Sequence, residues 1–322
     1  MSGWWLVAAL AVPALLALVT LVLSARATAR VPRIGTVIDL DGAHLHMIDT
    51  GEVGDRGAPV IVMIHGLGGQ LRHFTYSLVA RLRVNHRVVA LDRPGAGYSL
   101  WTGEARWDLD AQADVVAELV ERLALGRVVL VGHSLGGALA LRVAQRHRPL
   151  IAGLALLAPL TDHPPALSPA LMRWLTSGRW VIVALAWTIA VPIGRARRRQ
   201  LLGPVFGPDP IPDDYPVTGG GDLTLRPGHF LAAARDLAGI PDLISGLRSG
   251  FESLTQDEPL PIGVLYGRQD QVLSARVHGE GLLAHLPHTR LELIDAGHML
   301  PMVCPDVCDA FIRRCVVNAS GL

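Results

Sequence analysis

The chain has 322 residues, of which 50% are hydrophobic and 18% are charged, with a mean hydropathy of +0.37 and a formal net charge of +1. This length excludes a small scaffold held by disulfides or metals, and the apolar content excludes a mainly disordered chain. Because the net charge is close to zero, no overall field attracts nucleic acid, and we expect no nucleic-acid partner.

The apolar excess is greatest at the N-terminus. Trp4–Leu23 is an uncharged run of 20 residues, and as a helix it is about as long as the hydrocarbon core of a bilayer is thick. Three arginines follow the run and none precedes it, a bias that favours the cytoplasmic side for the rest of the protein. We therefore expect residues 1–33 to be a single-pass anchor and juxtamembrane segment in a bacterial-type inner membrane. A cleaved signal peptide is the alternative, since Ala27–Ala29 has the small-x-small form of a cleavage site.

The pattern after the anchor predicts an α/β domain. Two short alternating segments, Thr36–Leu40 and His44–Ile48, indicate a β-hairpin. Continuous apolar runs then predict strands buried on both faces, separated by helices. These strands are 59–64, 86–91, 127–131 and 151–157, and the helices are 71–82, 111–125 and 135–146. Such alternation is typical of a mostly parallel sheet with helices on both faces.

The strand pattern is interrupted once and then returns. Residues 161–259 hold proline-rich turns, a glycine run and helical pieces, which predicts a helical lid inserted into the domain. Two later strands, a helix between them and a last helix complete the domain, at 261–266, 290–294, 275–286 and 305–316. The expected α/β core therefore consists of residues 34–160 and 260–322.

The predicted lid contains its own apolar run. Trp180–Ile193 is uncharged, and four arginines follow it within a few residues. Two interpretations remain open: a buried core helix of the lid, or a surface that enters the bilayer while the arginines meet anionic headgroups.

One serine occupies the position in the chain that a catalytic nucleophile would need. Ser134 lies in Gly132-His133-Ser134-Leu135-Gly136, directly between a predicted strand and a predicted helix. A sharp turn there presents the hydroxyl at its tip, and the flanking glycines let the chain pass close to itself. Such a serine needs a histidine as general base and a carboxylate to orient that histidine.

Both partners occur after later strands. Asp270 follows the strand 261–266, and His298 follows the strand 290–294, so both are expected at the same sheet edge as Ser134. Asp162 is an alternative carboxylate because it also follows a strand. Asp295 is closer to the histidine in sequence, but its position suggests a cap or turn in the loop.

These segments resemble the α/β-hydrolase superfamily in its order Ser, Asp, His, over roughly residues 35–316. The resemblance implies an oxyanion hole formed by the backbone N–H of Leu67, in His65-Gly66-Leu67-Gly68-Gly69, and by that of Leu135. It also implies a structural role for the loop 92–99. The family often has an acidic residue five positions after its histidine, and this chain has Val303 there.

The resemblance implies a serine hydrolase of the esterase or lipase-like branch, without a cofactor or a metal. A serine rather than an aspartate at the turn points to acyl transfer, and the apolar lid favours an apolar acyl ester or a monoacyl lipid as substrate. Acyltransferases, perhydrolases, carbon–carbon bond hydrolases and ligand-sensing relatives share the same residues and stay open. The sequence does not determine the oligomeric state.

Overall fold

A computed structural model describes residues 4–52, 58–102, 108–164, 178–255 and 258–320, with the backbone alone for residues 4–10 and 179. Nine strands in these residues form one sheet, in the order β1-β2-β4-β3-β6-β7-β8-β9, with β5 beside β2. The strands are β1 Thr36–Leu40, β2 Ala43–Asp49, β3 Val60–Ile64, β4 Val88–Leu91, β5 Leu100–Trp101, β6 Val128–His133, β7 Ile151–Leu157, β8 Ile262–Gly267 and β9 Arg290–Ile294.

The sheet is mixed but mostly parallel, as the sequence predicts. Strands β3, β4 and β6 to β9 run parallel to one another, whereas β1, β2 and β5 pair antiparallel at one side. Every residue of β4, β6, β7 and β8 is buried, because helices cover both faces of the sheet. The carboxyl ends of the parallel strands consequently meet at one edge.

The helices follow the predicted order. They are α1 Trp4–Arg30, α2 Arg72–Thr75, α3 Leu78–Leu82, α4 Leu109–Arg122, α5 Leu135–Arg146, α6 Arg179–Leu185, α7 Val191–Ala196, α8 Arg198–Phe206, α9 Pro227–Gly250, α10 Gly281–Leu283, α11 Leu300–Val303 and α12 Pro305–Ala319. Helix α4 shows why these segments fold as they do. The Asp108 carboxylate caps it by accepting from the Ala111 N–H, and its apolar stripe packs towards the core and α5.

Two predicted helices differ in form. The segment 71–82 is two short helices, because Ser77 between them takes an extended φ of −153°. The segment 275–286 begins as a π-helical stretch, Ala275–Glu280, before α10. Its buried His278 accepts hydrogen bonds from the N–H groups of Thr161 and Asp162, which ties the stretch to the end of β7.

Residues 178–255 of the insertion are described, and they form helices and turns without a strand. The apolar run Trp180–Ile193 lies in α6, a π-helical stretch at Ala186–Ala190 and α7. It is not a buried core helix, since Trp180 is 78% exposed and Trp187, Ile189 and Ile193 are also exposed.

Helix α1 is 27 residues long, and its part Ala11–Arg30 is long and apolar enough to cross a membrane. Length and composition alone would equally fit a signal sequence. In the structure, α1 lies against the insertion, where it contacts α7 and the π-helical stretch before it.

Candidate active site

Ser134 occupies a strained turn between β6 and α5. Its φ of 56° and ψ of −121° lie in a region that L-residues rarely adopt and that costs on the order of 1–3 kcal/mol. Four backbone hydrogen bonds hold this conformation: the Ser134 N–H donates to Leu157, and the Ser134 carbonyl accepts from Gly137, Ala138 and Leu160. Ser134 as a whole is 9% exposed, so the turn presents a hydroxyl with restricted access to solvent.

The glycines around Ser134 are required by close backbone contacts. A Cβ on Gly136 would overlap the carbonyls of Ile64 and His65, and a Cβ on Gly132 would overlap the Gly136 carbonyl. The turn is thereby pressed against the loop that follows β3. A Cβ on Gly66 would lie 2.9 Å from the Ser134 Cβ, which places this loop directly beside the hydroxyl.

The two expected oxyanion donors belong to the loop beside Ser134 and to the residue that follows Ser134. Leu67 follows Gly66 and is 38% exposed, and Leu135 is the first residue of α5. Within the described part of the chain, neither backbone N–H has a hydrogen-bond acceptor. Both groups are therefore available to an oxygen bound next to the serine, and the N-terminus of α5 adds a favourable dipole.

Asp270 and His298 are brought together as a hydrogen-bonded pair. The His298 Nδ1 lies 2.7 Å from the Asp270 Oδ2, and both side chains are almost completely buried. The other carboxylate oxygen of Asp270 accepts from the N–H groups of Val272 and Leu273, each at 2.8 Å. With Oδ2 as acceptor, the His298 Nδ1 carries the proton, which leaves Nε2 free to accept one.

His133, the neighbour of Ser134, supports the loop that carries His298. Its Nε2–H donates to the His298 carbonyl at 3.0 Å, and the two rings lie 5.0 Å apart. Burial, and then the proximity of His298, hold the pKa of His133 well below its ordinary value. His133 is therefore a neutral donor that fixes the backbone beneath His298.

The two alternative carboxylates, Asp162 and Asp295, each lie beside an arginine. Asp162 pairs with Arg248 at 2.6 Å, and Asp295 is an exposed residue 3.4 Å from Arg268. Asp92 is buried and accepts from the N–H groups of Leu71 and Tyr98, so it connects two loops.

The sequence motifs do not identify one buried residue that supports the site, Arg93. Arg93 is 1% exposed, and its guanidinium donates to the carbonyls of His65 and Gly66, the residues just before Leu67. The same group pairs with Asp236 of α9 at 2.8 Å. Arg93 thus connects the loop beside Ser134 to the insertion. Its sequence context shows only an arginine after Asp92, and nothing there identifies Asp236 as its partner.

The insertion also packs against the His298 loop. Phe206 and Tyr215 of the insertion form a cluster with Met299 and Met302. A Cβ on Gly297 would overlap the carbonyl of Gly207, so the two backbones are in close contact beside His298. Residues 206–215 therefore shield this side of the Asp270–His298 pair from water.

Comparison with known proteins agrees with this fold. The model of the alpha/beta hydrolase family matches residues 61–311. The chain belongs to the alpha/beta hydrolase family. This confirms the fold predicted from the sequence.

Named relatives of this hydrolase differ in activity. A dihydrolipoyllysine-residue acetyltransferase component from Pseudomonas putida is 38% identical over 107 residues, which are 33% of this chain and 28% of that protein. The magnesium-chelatase 30 kDa subunit of Rhodobacter capsulatus is 26% identical over 272 residues, covering 81% of this chain and 86% of that protein. Among solved structures, a membrane phospholipase A described as a bacterial virulence factor has a TM-score of 0.63 and 24% identity, covering 99% of this chain and 98% of that one.

Two buried histidines give the hydrolase a pH-dependent stability. His73 and His229 are both buried next to the loop 65–70, and burial lowers the pKa of each from 6.5 to about 4. An unfolded chain binds protons at these two residues below pH 6.5, whereas the folded chain does so only near pH 4. Each histidine therefore removes up to about 1.4 kcal/mol of stability per pH unit as the pH falls through this window.

We expect the free energy of unfolding to be lower at pH 5.0 than at pH 7.5, measured by chemical denaturation. The double variant His73→Gln/His229→Gln is the control, because it lacks both groups and should show a shallower pH dependence. A wild-type protein whose dependence is no steeper than that of the double variant would contradict this assignment.

Proposed function

We propose that the protein is a serine hydrolase that cleaves carboxylic esters through an acyl-enzyme intermediate. The observation that carries this proposal is the position of Ser134, in a strained turn at the sheet edge where Asp270 and His298 form a buried hydrogen bond. A serine hydroxyl is a weak nucleophile near neutral pH, and such a histidine is the general base that it needs.

In the proposed mechanism, the Ser134 Oγ attacks the ester carbonyl while the His298 Nε2 takes its proton. Asp270 holds the His298 tautomer and stabilises the imidazolium that forms. The N–H groups of Leu67 and Leu135 stabilise the negative oxygen of the tetrahedral intermediate. The alcohol leaves with the proton from His298, a water molecule then attacks the acyl-enzyme with His298 as base, and the acid is released.

We further propose that the substrate is apolar, such as a medium-chain ester or a monoacyl lipid. Helix α1 would attach the enzyme to a membrane, with the catalytic domain on the cytoplasmic side, and the insertion would act as a lid over the site. Exposed apolar side chains in both elements support this arrangement. The structure of the membrane phospholipase A matches 99% of this chain, including the N-terminal region.

We expect activity on p-nitrophenyl esters to rise from acetate to medium chains, because a longer acyl chain transfers more apolar surface from water. The measurement is kcat/KM across acetate, butyrate, octanoate and laurate with the full chain in detergent. Activity that peaks at acetate and vanishes by octanoate would contradict the apolar substrate. A protein that hydrolyses no ester and does not react with a fluorophosphonate at Ser134 would contradict the enzymatic function and favour a ligand sensor.

A further inference from the structure

The strongest unexplained feature of the molecule is the way α1 lies on the insertion. One stripe of α1 is turned inwards: Thr20 and Ala27 are buried, as is Val31 just after the helix, and Leu16, Leu23 and Ser24 are partly buried. The spacing of three and four residues is that of a single helix face. This face contacts the π-helical stretch Ala186–Ala190, α7 and the turn Leu223–Leu225.

This packing restricts how α1 can enter a bilayer. The part of α1 that precedes Leu16 is 12 residues long, or about 18 Å. A hydrocarbon core is about 30 Å thick, so this part of α1 cannot cross it alone. For α1 to be fully inserted, the packed part must also lie in the membrane, together with the segment that covers its inner face.

The segment that covers α1, Trp180–Ala196, has the exposed apolar surface that a position in the membrane requires. Trp180–Ala196 and α1 both expose large apolar side chains, an arrangement that marks interaction surfaces rather than ordinary protein exterior. We call these side chains together the paired apolar surface: Val12, Leu15, Leu18, Leu21, Val22, Trp180, Val181, Trp187, Ile189 and Ile193.

A buried carboxylate that pairs with two arginines holds the basic ends of the two segments close together. Asp222 is 1% exposed and pairs with Arg30, at the end of α1, at 2.6 Å. It also pairs with Arg198, which follows the apolar segment of the insertion. One buried carboxylate therefore holds the basic ends of both segments together. Further arginines near these ends are exposed: Arg26, Arg33, Arg195, Arg197 and Arg199.

We propose that Trp180–Ala196 enters a membrane together with α1, in the leaflet that holds the basic end of α1, with the arginines at the level of anionic headgroups. An apolar surface bordered by arginines matches the two zones of such a leaflet. A second copy of the chain is a poorer occupant, because a parallel pairing would bring two sets of exposed arginines close together. This proposal is independent of the reaction at Ser134.

The test measures the depth of one residue in the full chain. Ile189→Cys and, as a matched control, Val84→Cys are made in a Cys304→Ser background and labelled with an environment-sensitive fluorophore. Both positions are exposed aliphatic residues, at 43% and 67%, but Val84 lies between α3 and β4, away from the paired apolar surface. The labelled proteins are reconstituted in vesicles of phosphatidylglycerol and phosphatidylcholine that contain nitroxide-labelled lipid.

We expect the label at Ile189 to be quenched by the nitroxide lipid several-fold more than the label at Val84, with emission shifted to shorter wavelength. Equal quenching at the two positions would overturn the proposal. Efficient disulfide cross-linking between two Ile189→Cys chains, with little quenching by lipid, would assign the surface to a second copy and would also overturn it. Ester hydrolysis by the same preparations is measured separately, because neither the quenching result nor the cross-linking result predicts it.

Discussion

Replacing Ser134 by alanine is expected to lower kcat by roughly 10⁴- to 10⁶-fold, because the proposed reaction begins with its hydroxyl and the residues of such a site act as one unit. The measurement is steady-state hydrolysis of the best p-nitrophenyl ester. Any residual rate would come from the Leu67 and Leu135 N–H groups and from substrate binding.

A second substitution tests whether Ser134 and His298 act together. His298→Ala made in the Ser134→Ala protein should reduce the rate little further, since residues of one catalytic unit are strongly non-additive. The thermal unfolding transition of Ser134→Ala should stay close to that of the wild type. A folded Ser134→Ala protein with more than about one-hundredth of the wild-type kcat would be inconsistent with the proposed nucleophile.

Replacing Arg93 by methionine is expected to destabilise the protein by about 3–5 kcal/mol, because Asp236 would remain buried without its charge partner. The two loop carbonyls that Arg93 holds precede Leu67, so kcat should fall as well, by up to about 10²-fold if this oxyanion donor is displaced. Denaturant unfolding and kinetics on the same preparation measure both effects.

The matched control is Arg146→Met. Arg146 also pairs with carboxylates, Asp114 at 2.7 Å and Asp110 at 3.4 Å, but these groups are partly exposed. Such pairs contribute about 0–1 kcal/mol, and this pair lies on α4 and α5, away from the loop 65–70. If the two variants lose equal stability and activity, Arg93 has no special role in positioning that loop.

Much of the fold could be predicted because its signals are local. The strand Ile151–Leu157 and the helix Leu135–Arg146 have the predicted bounds, since a buried parallel strand needs a continuous apolar run and the glycine-flanked serine marks the start of the helix. The positions of Asp270 and His298 follow from the same rule, because parallel strands end at one edge.

What could not be predicted depends on contacts between distant segments. Arg93 and Asp236 are separated by 143 residues, and Arg30 and Asp222 by 192. No local pattern distinguishes these carboxylates from exposed ones. The sequence also left the run Trp180–Ile193 open between a core helix and a surface, because its composition fits both and only the fold shows which side chains have neighbours.

The pairing of Arg30 with Asp222 has a consequence for the order of assembly. A ribosome makes α1 long before the insertion, so an α1 that enters a membrane as proposed would do so before its partner helices exist. Its inward face would then be covered by lipid until the later helices replace that cover. Asp222 would lose water only in this last step, when Arg30 and Arg198 are both in place to compensate its charge. Completion of the catalytic domain would therefore be coupled to delivery of the chain to its membrane.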